Sequence, residues 1–213
     1  MSFILRAFSN GTDGVFVGGC HLNDCHYNTE GNYDALSVMH LCKKLMKHIG
    51  LHPDRLRLEW VSAGEGTRFA EVMNDFSQKI KALGPLGTSE GIDEKELKFR
   101  LEACTKLVPY IKLVERERIR VRFSTEKEYE EFFASEEVNR LFDETIAVKL
   151  TIAQIVLLLR DACLSSVEIA RRLGLNTTQV ARHLNALVKQ QLVKYDEAVK
   201  RYALAYDKKA YTS

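Results

Sequence analysis

The stretch from Leu164 to Gln190 restricts this chain more than any other. Ser165-Ser-Val-Glu168 is a capping box: a hydroxyl and a carboxylate three residues apart satisfy the free backbone donors that open a helix. That helix runs over Val167–Leu173, and Gly174 stands where it needs a left-handed terminating residue. Asn176-x-x-Gln179 caps the next helix, Thr177 to Gln190. Upstream, Thr151-Ile-Ala-Gln-Ile-Val-Leu-Leu-Leu-Arg160 forms a strongly apolar first helix. Downstream, Leu192-Val-Lys-Tyr195 and Arg201-Tyr-Ala-Leu-Ala205 read as two strands around a tip at Asp196–Lys200. Capping, periodicity and the turn glycine agree independently on a winged helix-turn-helix over residues 148–213.

The third helix of this unit has two faces. Val180, Leu184 and Leu187 point inward, and Thr177, Thr178, Ala181, Arg182 and Asn185 point out. The outward groups are short or polar enough to enter a major groove, and Lys200 and Arg201 in the wing add cations. Charge supports the same reading. Residues 148–213 carry eleven basic and five acidic side chains, against nine and nine in residues 1–89 and eleven and fifteen in residues 90–147. A basic terminal domain is what a nucleic-acid reader shows, although winged helices also dock proteins.

The rest of the chain is organised differently. Asp13-Gly-Val-Phe-Val-Gly-Gly19 is a short strand ending in glycines, and Leu56-Arg-Leu-Glu-Trp-Val61 is a second. Between them Tyr33–Ile49 has helical periodicity, stopped by Gly50. Glu65–Leu83 is another amphipathic helix, with Phe69, Val72, Met73, Phe76 and Ile80 on its inward side. Strand, helix, strand, helix implies a parallel α/β unit. Two parallel strands rarely make a stable sheet alone, so further strands are expected from elsewhere. Gly84–Gly91 is a breaker-rich linker. It opens a connector over residues 86–147: a helix from Asp93 to Val114 bent at Pro109, a strand Arg118–Phe123, and acidic helices Glu126–Phe133 and Glu136–Phe142.

Gly18-Gly-Cys20-His-Leu-Asn-Asp-Cys25-His-Tyr27 follows the first strand directly. In open α/β sheets the carboxyl end of a strand is where ligands bind. Two thiols five residues apart, beside His21 and His26, suit iron–sulfur or zinc chemistry, or stand as two free thiols, since they supply half of a tetrahedral set. Cys42, Cys104 and Cys163 fall within or at the ends of helices and read as small apolar packing residues. Five cysteines, no signal-peptide pattern and no apolar run of about eighteen residues point to a cytoplasmic protein without a membrane span.

The stretch Ile4-Leu-Arg-Ala-Phe, Asn10–His21, Asp24-Cys-His-Tyr27 and Gly31-Asn-Tyr33 resembles the delta subunit of methyl-viologen-reducing hydrogenase. Arg55-Leu-Arg-Leu-Glu-Trp-Val-Ser-Ala63 and Glu65-Gly-Thr-Arg-Phe-Ala70 continue the resemblance to about Pro85. It implies a partial flavodoxin-like segment over residues 1–85 and an iron–sulfur cluster of the 2Fe-2S type with Cys20 and Cys25 among its ligands. It also implies electron transfer between a hydrogenase or other dehydrogenase subunit and a heterodisulfide-reductase-like flavin/iron–sulfur subunit. The family's opening strands and their cysteines have no counterpart ahead of Met1, so an upstream or partner segment is expected to supply the other ligands. The C-terminal unit resembles winged helices of the arsenical-repressor and multidrug-resistance-repressor type.

The fold class expected is therefore α/β with a partial parallel sheet, a mainly helical connector and a C-terminal winged helix-turn-helix. The residues show no nucleophile–base set, no phosphate-cradling glycine loop and no paired carboxylates, so a non-catalytic electron-transfer subunit of an oxidoreductase complex is the leading expectation. A redox- or metal-responsive DNA-binding regulator is the alternative, and an adaptor that only holds proteins together a third.

Overall fold

The computed structural model describes residues 1–27 and 31–205. The end of the expected C-terminal domain, residues 206–213, lies outside the described residues. The chain forms two compact units, residues 1–148 and residues 149 onward.

In the first unit α1 (Ser2–Ser9) precedes β1 (Val15–Gly19), α2 (Gly31–His48), β2 (Leu56–Trp60) and α3 (Gly66–Leu83). β1 and β2 pair in parallel, with Val15 opposite Leu56 and Gly19 opposite Trp60. Among the described residues these two strands are the whole of that sheet. The strand–helix alternation has the physical outcome the sequence predicts, a parallel pair joined by a helical crossover. α2 buries Leu36, Met39, Leu41, Cys42, Leu45 and Met46, each roughly 1.5–3 kcal/mol of transfer free energy for the larger side chains. It ends at Gly50, whose φ of +82° favours glycine.

α3 departs from its amphipathic reading. Phe76 is buried, but Val72, Met73 and Ile80 are half-covered and Phe69 is 48% exposed. Phe16 of β1 meets Phe69 edge-on and Phe76 at a tilt, and among the described residues no further strand extends beneath the helix. A two-stranded sheet is too narrow to cover the apolar stripe of an eighteen-residue helix.

The segment after α3 is held chiefly by Arg55, with Asp13 Oδ1 also accepting from the Leu86 N–H at 2.7 Å. Arg55, wholly buried, donates to Glu90 and to the carbonyls of Asp13, Leu83, Gly84 and Pro85. The breaker-rich stretch 84–91 is thereby folded around a guanidinium, with Leu86 buried. α4 (Glu94–Val114) packs on α1 and contains Pro109 within its length. α5 (Glu126–Ala134) lies on α2, and α6 (Glu136–Phe142) follows.

A second expectation is corrected here. Arg118–Phe123 is not a strand: Glu115–Ile119 is a wide helical turn, and the chain then runs extended from Arg120 without a strand partner among the described residues. Its alternation is real, because Ile119 is 1% exposed and Phe123 packs on Tyr129 and Phe132, while Arg118, Arg120 and Arg122 face out. Alternation records burial on one side; it does not by itself create a ladder. The helix α1, which the sequence patterns do not announce, forms because Ile4, Leu5 and Phe8 are buried in the first unit, where α1 packs on α4.

The second unit follows its sequence signals closely. α7 (Val148–Asp161), α8 (Ser166–Leu173), α9 (Thr177–Lys189) and the antiparallel pair β3 (Val193–Asp196) and β4 (Arg201–Leu204) occur in order. Ser165 and Glu168 form the capping box, Gly174 adopts φ 63°, ψ 30°, and Asn176 accepts from the Thr178 N–H at 2.7 Å. Val180, Leu184 and Leu187 are buried, as their spacing predicts. Cys163 is a third correction: it lies two residues past α7 and is exposed, so it is not a buried packing residue.

Candidate functional site

The cysteine loop starts where β1 ends. Gly19 closes the parallel ladder, its carbonyl accepting from the Val61 N–H at 2.8 Å, and Cys20 follows. The glycine beside the cysteine has a packing reason, since a Cβ at Gly19 would stand 2.8 Å from Trp60 Cζ3. The loop is fastened to the start of α2. Asn32 Nδ2 donates to the Cys20 carbonyl at 3.3 Å and to the His21 carbonyl at 2.8 Å, and Tyr33 Oη donates to Asn23 Oδ1 at 2.5 Å. Asn23 takes a φ of +71°, which an asparagine tolerates better than most residues. Asn32 Oδ1 is buried without a hydrogen-bond partner among the described residues.

A second clamp comes from the end of β2. Glu65 accepts from the Ser62 N–H and pairs with His21 Nε2, each at 2.7 Å. Both contacts hold its carboxyl below the ordinary glutamate range, the Ser62 N–H most. Ser62, Glu65, Gly18 and Phe69 line a cavity of about 290 Å³ at the carboxyl ends of the two strands.

Within this frame Cys20 is exposed and Cys25 half-exposed, both as free thiols. The chemistry of the donors decides what they can hold. A [2Fe-2S] cluster or a tetrahedral metal needs about four thiolate or imidazole ligands. Among the described residues no group of three or more His, Cys, Asp or Glu is gathered to hold a metal ion. The loop therefore fits half of such a site, and the described residues do not complete one. Asn32, Tyr33 and Glu65, which position the loop, were not singled out from the sequence as site residues. Their roles depend on contacts across three to forty-four residues, and their only sequence signal was the Gly31-Asn-Tyr33 and Glu65-Gly-Thr match to the delta-subunit family.

Cys42 and Cys104 are buried in α2 and α4. Burial pushes the Cys42 thiol up to about 11 and the Cys104 thiol up to about 12. They are inert packing groups, as expected.

In the second unit Thr177, Thr178, Arg182 and Asn185 are exposed along α9 and Ala181 is half-covered. Lys200 sits at the wing tip with a φ of +51°. Arg201 points elsewhere. Its guanidinium donates to the Cys163 carbonyl at 2.9 Å and to Glu168 Oε1 at 2.8 Å, fastening the wing to the start of α8.

Comparison with known proteins matches these segments. Residues 1–84 match the family described as methyl-viologen-reducing hydrogenase, delta subunit, and residues 155–194 match winged helix-turn-helix DNA-binding. The iron-sulfur subunit of F420-non-reducing hydrogenase from Archaeoglobus profundus is 57% identical over 83 residues, 39% of this chain and 60% of that protein. The vhc iron-sulfur subunit of F420-non-reducing hydrogenase from Methanococcus voltae is 46% identical over 96 residues, 44% of this chain and 66% of its own length. One polypeptide of the ferredoxin/F(420)H(2)-dependent CoB-CoM heterodisulfide reductase from Methanosarcina acetivorans is 45% identical over 86 residues, 40% of this chain and 11% of its own length. The chain thus carries a hydrogenase-delta segment at its N-terminus and a winged helix-turn-helix at its C-terminus, and it spans 60% of the length of the Archaeoglobus relative. No described helix is long and apolar enough to cross a membrane.

Proposed function

We propose that this chain is the loop-bearing part of an iron–sulfur electron-transfer subunit in an oxidoreductase complex. It relays electrons between a hydrogenase or other dehydrogenase subunit and a heterodisulfide-reductase-like flavin/iron–sulfur subunit. One observation carries the reading: two accessible thiols sit on a loop held by Asn32, Tyr33 and Glu65 at the carboxyl ends of parallel strands, inside the segment shared with iron–sulfur subunits. A [2Fe-2S] cluster, when bound, would supply one-electron chemistry there. The chain's own contribution is Cys20 and Cys25, their backbone fixed before the metal arrives, with the remaining ligands coming from an upstream or partner segment. Domains at 1–85, 86–147 and 148–213 would then divide into a redox segment, a connector and a docking or reading module. Anaerobic reconstitution tests the reading. The full chain alone should hold little iron, and co-expression with its upstream or partner segment should produce a visible cluster spectrum that Cys20→Ser or Cys25→Ser abolishes. A spectrum indifferent to both substitutions would overturn it.

The exposed α9 face favours a second reading, a redox- or metal-responsive DNA-binding regulator. Thr177, Thr178, Arg182 and Asn185 would approach base edges and Lys200 the backbone. Fluorescence anisotropy of the full chain with genomic duplexes at two salt concentrations tests it. DNA reading requires binding that falls with a log–log slope of about −0.9 per neutralised phosphate and weakens by about 1–3 kcal/mol in Arg182→Ala. Absence of binding at low salt excludes it.

A further inference from the structure

The arginine-rich segment Arg116–Arg122 lies outside both matched segments. Arg116, Arg118, Arg120 and Arg122 are all exposed, and with Lys112 they set five cations against Glu115 and Glu117, the latter paired with Arg116 at 2.8 Å, in a connector that is otherwise acidic. The segment is not a loose tail. Ile119 is 1% exposed, Tyr129, itself fully buried, donates to the Val121 carbonyl at 3.3 Å, and Phe123 packs edge-on against the Tyr129 ring. The backbone is thus anchored on one side while the arginines stand on the other.

Its position relates it to the thiol loop. The Arg122 guanidinium lies over the Tyr33 ring, 5.1 Å from its centroid, and the Tyr33 hydroxyl holds Asn23 between the two cysteines. The groove beside it is lined by Lys112, Arg116 and Arg120 together with Glu115 and with Asp34, the neighbour of Tyr33. α5, which follows directly, carries Glu126, Glu128, Glu130 and Glu131; Glu126 accepts from the Trp60 indole and Glu128 closes the Thr125 capping box.

We infer that the Lys112–Arg122 surface is a docking face for a small acidic electron-carrier protein. This inference rests on the electron-transfer reading above. Charge complementarity selects the partner. A concentrated positive patch steers an acidic protein into contact, and the adjoining acidic helix repels it from the wrong register. Transient redox encounters need only a small interface of this kind. A nucleic-acid backbone would meet the same cations, but it has no use for a patch linked through Tyr33 to a pair of thiols.

The test uses the full chain with a small acidic ferredoxin as the probe, and a DNA duplex as the competing one, followed by biolayer interferometry at low and high ionic strength. Wild type should bind ferredoxin at low salt and lose it as salt rises. Arg118→Glu with Arg120→Glu should weaken binding by about tenfold or more, and Arg118→Lys with Arg120→Lys should restore it. Trp60 fluorescence and thermal unfolding check that each variant is folded. No ferredoxin binding at low salt, equal binding by the charge-reversed variant, or arginine-dependent binding to DNA alone each overturns the inference. Docking is read without a cluster, so a chain that docks but never acquires iron defeats the electron-transfer reading and leaves the surface standing. A chain that acquires its cluster but does not dock defeats the surface alone.

Discussion

Arg55 is wholly buried and its Nε donates to Glu90 Oε1 at 2.6 Å, thirty-five residues away in sequence. Glu90 also accepts from the His52 and Gly87 backbone N–H groups, so one ion pair closes the turn between α3 and α4. Burial alone would raise the Glu90 carboxyl; Arg55 and the two amides outweigh it and hold the group below the ordinary glutamate range. Glu90→Ala should destabilise the first unit by about 3–5 kcal/mol, because a buried guanidinium is left without its counter-charge. Chemical denaturation followed by Trp60 fluorescence measures this. The folded carboxyl titrates lower than the unfolded one, so its stabilisation is present above the ordinary value of about 4.3 and lost as pH falls through the folded value. Glu90→Gln should flatten that acid limb.

Thiol accessibility separates the cysteines into two groups. Cys20, Cys25 and Cys163 should react quickly with a disulfide reagent at neutral pH, and Cys42 and Cys104 only after unfolding. A time course of thiol release in native and denaturing buffer counts them. Fast reaction of all five would contradict the burial of α2 and α4.

Gly19→Ala places a methyl 2.8 Å from the Trp60 ring, at the point where the sheet turns into the cysteine loop. Trp60 is 8% exposed and its indole N–H is held by Glu126, so the ring has little freedom to retreat. The expected cost is about 1–3 kcal/mol, with a shift in the emission of this single tryptophan. Unchanged stability and emission would mean that the ring moves freely.

Arg201 and Lys200 should separate although they are neighbours. Arg201→Ala removes the link from the wing to Glu168 and the Cys163 carbonyl and should lower the stability of the second unit, by about 1 kcal/mol given the partial exposure of the pair. Lys200→Ala should leave stability unchanged and weaken only binding to an anionic partner. Thermal unfolding of both variants, beside their DNA titrations, decides. Equal stability in the two would remove Arg201 from its structural role.

Much of the second unit was legible because its signals are local. A capping box, a left-handed glycine and an i, i+4, i+7 apolar face each act within one or two helical turns, and Ser165, Gly174 and Val180 appear as their spacing predicts. In the first unit the two strands and α2 were legible for the same reason. Arg118–Phe123 was misread because alternation reports which side is buried, whereas a strand needs a partner that no residue in the segment specifies. Phe69 was misassigned because periodicity identifies an apolar face without showing whether enough sheet lies beneath it.

The sequence by itself determined the order of elements, the helix boundaries that side-chain caps define, and the presence of a thiol pair after a glycine-ended strand. Those properties follow from residues close along the chain, whose interactions form whatever the remainder does. Only the tertiary structure decided that Asn32, Tyr33 and Glu65 hold the cysteine loop, that Arg55 closes the stretch 84–91, and that Arg201 turns from the wing toward Glu168. Each is a hydrogen bond to a group ten or more residues away. Its partner is selected by folded geometry, because many equivalent donors and acceptors compete for it along the unfolded chain.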